Sequence, residues 1–151
     1  MVAVQAGCAF CAIVAGGESH VVLDDEECVA FLDHRPVFPG HCLLVPREHV
    51  ETLADLPPDR VGPFFLRARA LASAVEAGME ADGTFVAINN RVSQSVFHLH
   101  VHIVPRRKKD GLRGFFWPRL RYESPEAMKD AQARIREALK RQVDKSGHVR
   151  S

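Results

Sequence analysis

The stretch Phe97-His98-Leu99-His100-Val101-His102-Ile103-Val104-Pro105-Arg106 places an imidazole at every second residue, with Leu99, Val101 and Ile103 between and after them. Alternation with period two predicts a half-buried β-strand that turns all three rings to one face and the aliphatics to the other. A strand rises about 3.3 Å per residue, so neighbouring rings on that face lie about 6.6 Å apart. Two chemistries suit such a face. Imidazole nitrogens can converge on one metal ion. Alternatively, one ring acts as nucleophile or general base while its neighbours orient it and hold charge.

A second candidate is Cys8-Ala9-Phe10-Cys11. Its spacing suits half of a zinc site, a redox pair, or two small buried hydrophobes. A redox pair would sit between a strand and a helix in a thioredoxin-like pattern, which the flanking sequence lacks. The other cysteines, Cys28 and Cys42, fall inside apolar runs and read as core.

His20–Leu23 and Cys28–Leu32 are strand-like runs joined by Asp24-Asp25-Glu26-Glu27, a polar turn that predicts an antiparallel hairpin. Asp33–Gly40 is a loop punctuated by two prolines and a glycine, and His41–Pro46 is a third strand. From Pro57-Pro58 to Met79 apolar residues recur at three- and four-residue steps, which predicts a helix with Gly62-Pro63 near its start and Gly78 near its end. Thr84–Ile88 is a fourth strand, and Asn89–Ser93 turns into the histidine strand. A short helical run, Cys11–Ala15, ends at Gly16-Gly17. Arg106–Tyr122 is loop-like, with seven Arg or Lys against one Asp up to Arg121, a local charge of +6. Ser124-Pro125-Glu126 starts a last helix, with Ser as N-cap, Pro in the first helical position and an acid in the first turn. Met128, Ala131, Ile135, Leu139 and Val143 form its stripe, and the tail from His148 frays. This order predicts a single α+β domain over residues 1–151, an antiparallel sheet with helices packed on one face. Within it we expect a motif-bearing core at about 8–106, a basic aromatic loop at 106–122 and a C-terminal helix at about 125–145.

Composition bounds the function classes. Hydrophobic residues at 46%, charged residues at 26% and a net charge of +1 describe an ordinary globular chain, with no global charge to draw it to nucleic acid or a membrane. No apolar run nears the ~18 residues that span a bilayer. The first residues lack a secretory pattern, so we expect a cytoplasmic protein with reduced thiols.

His98-Leu99-His100-Val101-His102-Ile103-Val104, with Gln94-Ser95-Val96-Phe97 before it and Pro105-Arg106 after it, resembles the His-φ-His-φ-His-φ-φ signature of the histidine-triad (HIT) nucleotide hydrolases and transferases. The similarity reaches back to Cys8. It implies an antiparallel sheet with helices, a homodimer, and a purine nucleotide substrate carrying a substituted phosphate, either a phosphoramidate or a dinucleoside polyphosphate. By position His100 would attack the α-phosphate and form a nucleotidyl-histidine intermediate. His102 would contact the transferring phosphate or leaving group, with Ser95 and Gln94 as nearby donors; turn formation accounts for that pair equally well. Asp33 would hold the ribose hydroxyls, Asn89 the ribose or phosphate, and Phe10, Ile13 and Phe31 the base. His34 can line the same cleft, although a solvated loop histidine accounts for it as well. In zinc-containing members a Cys-x-x-Cys pair, an upstream histidine and the first triad histidine form a tetrahedral site, here Cys8, Cys11, His49 and His98. Such a closed Cys₂His₂ set is structural, and the chemistry itself needs no metal. Two departures stand out. Ser93 occupies a position where the family has glycine, and Arg106–Tyr122 can meet distal phosphates or RNA through its cations and Phe115, Phe116 or Trp117; we favour packing of those aromatics on a dimer partner. Two rival readings stand beside it: a metalloenzyme whose triad binds a catalytic metal, and a non-catalytic nucleotide-binding regulatory or scaffold protein.

Overall fold

In a computed structural model of the chain the described residues are 4–113 and 119–145. Phe115, Phe116 and Trp117, and the tail from His148, lie outside them. Residues 1–110 and 111–151 form two compact units.

The first unit carries α1 (Ala9–Val14), β1 (Val21–Asp24), β2 (Cys28–Leu32), β3 (Cys42–Pro46), a 3₁₀ turn (Leu53–Asp55), α2 (Pro58–Gly78), β4 (Gly83–Ala87) and β5 (Val101–Arg106). All strand pairs are antiparallel, in the spatial order β1-β2-β3-β5-β4. Alternation within the strands sorts the apolar residues onto two faces. Cys28, Ala30, Cys42, Leu44, Val101 and Ile103, together with Leu99, pack against Phe64, Ala68, Leu71 and Val75. Those four α2 residues follow four-, three- and four-residue steps, one stripe of a helix. Pro58 opens α2 in a position where a missing N–H costs nothing, so the helix begins ahead of Gly62-Pro63. The opposite sheet face carries Val29, Phe31, Leu43 and Val45, and Phe10 of α1 packs there. Thus the long helix covers one face and the six-residue α1 closes part of the other. Each large side chain so buried contributes about 1.5–3 kcal/mol.

The histidine strand is shorter than its sequence pattern predicts. The expected run of 97–106 reduces to Val101–Arg106, with His98 and His100 ahead of it. The β3–β5 ladder starts at the Leu44–Val101 pair. Two steps earlier β3 reaches Pro46, which has no N–H to give and whose carbonyl accepts from His98 Nε2 at 2.8 Å. The Leu99 N–H instead donates to the Val50 carbonyl, 2.7 Å away. The inward–outward alternation survives nonetheless, with Leu99, Val101 and Ile103 on the α2 side.

In the second unit α3 spans Pro125–Lys145. The Ser124 hydroxyl accepts the Ala127 N–H at 3.1 Å and Glu126 occupies the first turn, as the start signal predicts.

The β1–β2 turn is fastened to α2 through Asp25. One of its carboxylate oxygens accepts the N–H groups of Glu27 and Cys28 at 2.8 and 3.0 Å, and the other accepts Arg67 Nε at 2.9 Å. Partial burial raises the Asp25 pKa, but the Arg67 bond and the two amides outweigh it and hold it below the usual carboxylate value. A group with a depressed folded pKa stabilises above its unfolded pKa, about 3.9, and that stability is lost as pH falls through the folded value. Asp25→Asn is therefore expected to lower stability at pH 7 by about 1 kcal/mol. In urea titrations the gap to the native chain should close below about pH 4.

Candidate functional site

His41, Leu43 and Val45 share a sheet face with His100 and His102, because β3 and β5 pair with Leu43 opposite His102. Two sites form along this face.

The first gathers Cys8, Cys11, His49 and His98, whose ligand atoms all lie within 4.8 Å of one another. Cys8 Sγ and Cys11 Sγ lie 3.6 and 3.5 Å from His98 Nδ1, and Cys11 Sγ lies 3.3 Å from His49 Nδ1. Around a tetrahedral ion with Zn–S near 2.3 Å and Zn–N near 2.0 Å, a sulfur–nitrogen edge measures about 3.5 Å. The donor set therefore fits zinc in type and in spacing. The Gln5 and Cys11 amides donate to Cys11 Sγ and Cys8 Sγ, both at 3.4 Å. His98 Nε2–H donates to the Pro46 carbonyl, leaving Nδ1 as the ligand nitrogen. His49 Nε2 is buried without a partner among the described residues, so its ring is oriented from the Nδ1 side.

The second is a cleft of 650 Å³ that brings together Phe10, Phe31, Asp33, Ser95, His100 and His102. His100 Nδ1 lies 2.8 Å from the His98 carbonyl. A carbonyl only accepts, so Nδ1 carries the proton and Nε2 keeps its lone pair. The Phe10 ring stands edge-on to His100 at 5.1 Å and to Phe31 at 5.4 Å. His102 is oriented by His41. The Val37 N–H donates to His41 Nδ1 at 3.1 Å, so His41 bears its proton on Nε2, which donates to His102 Nδ1 at 3.0 Å. His102 is thereby left with an Nε2–H donor. Burial, then the neighbouring His100 and His41, push the His102 pKa down to about 4 against the opposing pull of Asp33; burial first lowers His41 as well. His98, depressed chiefly by burial, lies at about 4 too.

His41 escaped the sequence reading. Its signal was available: it opens β3 directly after Pro39-Gly40 and has the parity of Leu43. Two other expectations are redirected. Gln94 Nε2 donates to the Glu51 carbonyl at 2.6 Å and its Oε1 accepts the Arg91 N–H at 2.8 Å, so its amide clamps the turn and does not line the cleft. Asn89 Nδ2 likewise donates to the Ser93 carbonyl at 3.3 Å. That turn holds Arg91 and Ser93 at φ 70° and 59°, and Ser93 adopts the left-handed conformation that glycine takes most easily. His34 lines the cleft mouth with an exposed side chain.

The triad does not converge on one metal. His98 belongs to the Cys₂His₂ cluster, His102 to a separate Asp33–His41–His102 group, and His100 to neither. Both His41 nitrogens in that second group already hold hydrogen bonds.

The histidine shifts carry a sign. A free imidazole takes a proton near 6.5, whereas folded His102 resists until about 4, so stability falls as pH drops between these values. His102→Gln should remove that share of the acid sensitivity. Urea midpoints followed from pH 7 to pH 4.5 are expected to fall less steeply in the variant.

Comparison with known proteins places these features in a family. The model described as "HIT domain" matches residues 16–109. An uncharacterised HIT-like protein of Mycobacterium tuberculosis (strain CDC 1551 / Oshkosh) is 38% identical over 108 residues, 70% of this chain and 75% of that protein. An Arabidopsis thaliana protein named adenylylsulfatase HINT3 is 32% identical over 72% of this chain and 56% of its own length. A Schizosaccharomyces pombe asymmetrical bis(5'-nucleosyl)-tetraphosphatase is 36% identical over 54% of this chain and 46% of its own. Among solved structures, a HIT family member from Bacillus subtilis superposes with a TM-score of 0.77 at 32% identity, covering 87% of this chain and 96% of that one. A zinc-bound histidine-triad protein from Mycobacterium smegmatis gives 0.67 at 38% identity, with 87% and 97% covered. The strand order, the paired histidines and these matches agree: the chain belongs to the HIT domain family.

Proposed function

We propose that the protein is a nucleotide phosphohydrolase or nucleotidyltransferase that acts at the α-phosphate of a purine nucleotide through covalent His100. The observation that carries this reading is the pair of opposed tautomers, His100 with a bare Nε2 and His102 with an Nε2–H, in one cleft. His100 Nε2 forms a bond to phosphorus while the bond from phosphorus to the leaving group breaks. The proton on Nδ1 remains in place, so the phosphorylated ring is cationic and the His98 carbonyl faces that charge. The His102 Nε2–H and the Ser95 hydroxyl donate to phosphate or leaving-group oxygens. Water then attacks phosphorus, the nitrogen–phosphorus bond breaks, and the nucleoside monophosphate leaves with neutral His100 restored. Asp33 accepts the ribose hydroxyls, while Phe10 and Phe31 flank the base. The relatives named for adenylyl sulfate and dinucleoside tetraphosphate chemistry support a substituted α-phosphate as the substrate feature.

Cys8, Cys11, His49 and His98 would hold a structural zinc ion that ties α1 to the sheet and supplies no chemistry to the reaction. We further read the protein as a homodimer in a reducing cytoplasm, where its four free cysteines are stable. Because His98, His100 and His102 are divided between different clusters, a triad-bound catalytic metal is not proposed.

Two measurements test this. Acid-quenched mass spectrometry after mixing with adenosine 5′-phosphoramidate or diadenosine tetraphosphate should show a nucleotidyl adduct on the native chain. His100→Ala should show none and lose at least about a thousandfold in turnover. Absence of adduct and turnover with both compounds would favour a nucleotide-binding protein without catalysis. Elemental analysis should find about one zinc per chain, and Cys11→Ser should lose the metal and melt at a lower temperature.

A further inference from the structure

We infer that Gln94 and Asn90 are positioning residues for the reaction, which together hold Ser95 where its hydroxyl meets the phosphate. This inference rests on the nucleotide reading above and adds to it what sets the place of one donor. Ser95 lines the cleft with His100 and His102, but its own stretch of chain has little local support. Among the described residues, residues 95–97 make no main-chain hydrogen bond to another main-chain group.

The stretch is held at its two ends, and both ends meet the few residues that follow His49. At one end the Leu99 N–H donates to the Val50 carbonyl at 2.7 Å. At the other, Gln94 Nε2 donates to the Glu51 carbonyl at 2.6 Å. Gln94 is 6% exposed, and both ends of its amide are satisfied within the protein. An apolar side chain would fill the same space, so what the amide adds is a fixed direction. The receiving residues are fixed in turn. Thr52, 2% exposed, donates its N–H and its hydroxyl to one carboxylate oxygen of Asp55, at 3.0 and 2.6 Å. The Leu53 N–H donates to the Asn90 side-chain oxygen at 2.9 Å. Asn90 and Gln94 thus grip the chain on either side of Thr52, one as acceptor and one as donor.

That grip accounts for the turn between them. Arg91 and Ser93, at φ 70° and 59°, sit in the left-handed region that residues with a side chain enter at a cost. Such a backbone persists only where its surroundings over-determine it. Here they do, through the bonds to Glu51 and Leu53 and through Gln94 Oε1, which accepts the Arg91 N–H at 2.8 Å. A turn freed to relax would carry residue 94, and Ser95 with it, away from the two histidines. A displacement of about 1 Å at a reacting group can cost about a hundredfold in rate.

A double-mutant cycle in the turnover of adenosine 5′-phosphoramidate tests the assignment. Ser95→Ala is expected to lower kcat about a hundredfold. Gln94→Met should lower it about thirtyfold, with KM changed by less than about threefold. Because both act through one hydroxyl, the double variant should stay within about threefold of Ser95→Ala. Gln94→Glu keeps the acceptor for the Arg91 N–H and loses the donor to Glu51, so it should repeat this pattern. Asn90→Ala, at an exposed residue, should lose about tenfold by the same route and carries the cycle if no variant at position 94 folds. Losses that multiply, to about three thousandfold in the double variant, would overturn the positioning role while leaving the nucleotide reading intact. So would native turnover in Ser95→Ala, or Gln94 variants that melt at a lower temperature yet turn over at the native rate. A native chain that turns over neither the phosphoramidate nor diadenosine tetraphosphate would remove the nucleotide reading, and this inference with it.

Discussion

The bond from His100 Nδ1 to the carbonyl two residues before it is the contact on which the site depends. It is local and is set by the backbone of a single segment, so the reactive nitrogen is defined before any ligand arrives. Its acceptor belongs to His98, whose own ring is fixed at both ends, by Pro46 on one side and the cysteine sulfurs on the other. Movement of His98 would shift the carbonyl and with it the tautomer of its neighbour. The buried side of the same segment, Leu99, Val101 and Ile103, is clamped beneath α2. Core packing and proton placement are therefore two faces of one strand.

A second relay runs sideways across the sheet. The Val37 amide, His41 and His102 form a line in which every proton position follows from the first donor. The backbone N–H at its head cannot be given up, so the line orients and does not pump protons. Burial keeps its rings neutral, which preserves the alternation of donor and acceptor. Asp33, 3.7 Å from His41 Nδ1, pulls the other way without reversing the result.

Much of this was legible in the residues. Alternation in 98–103 predicted which side chains face which way, and the stripe through Ala68, Leu71 and Val75 predicted the helix that covers them. The Cys8–Cys11 spacing suggested the metal set without specifying it, since the partners His49 and His98 come from distant parts of the chain. What escaped had non-local causes. His41 joins the site only through the register of β3 against β5, and a lone histidine at a strand entrance carries no periodic signal. The early end of the histidine strand depends on Pro46 facing it across the sheet. Gln94 looked like a donor to a ligand because its sequence neighbours were right, but turn geometry turned its amide onto the backbone. The turn around Ser93 shows the same limit: its left-handed backbone lacks the usual marker, glycine.

Phe10 lies between the two cysteines, and its ring touches both Phe31 and His100. The loop that gathers the sulfurs is thus also the cleft wall. Drift in this segment is doubly constrained, because a substitution that reshapes the slot must also keep the sulfur spacing, and a lost cysteine alters the wall. Divergence in what the cleft accepts is therefore easiest elsewhere on its rim, along the 18–20 segment and around His34, where the residues carry neither duty.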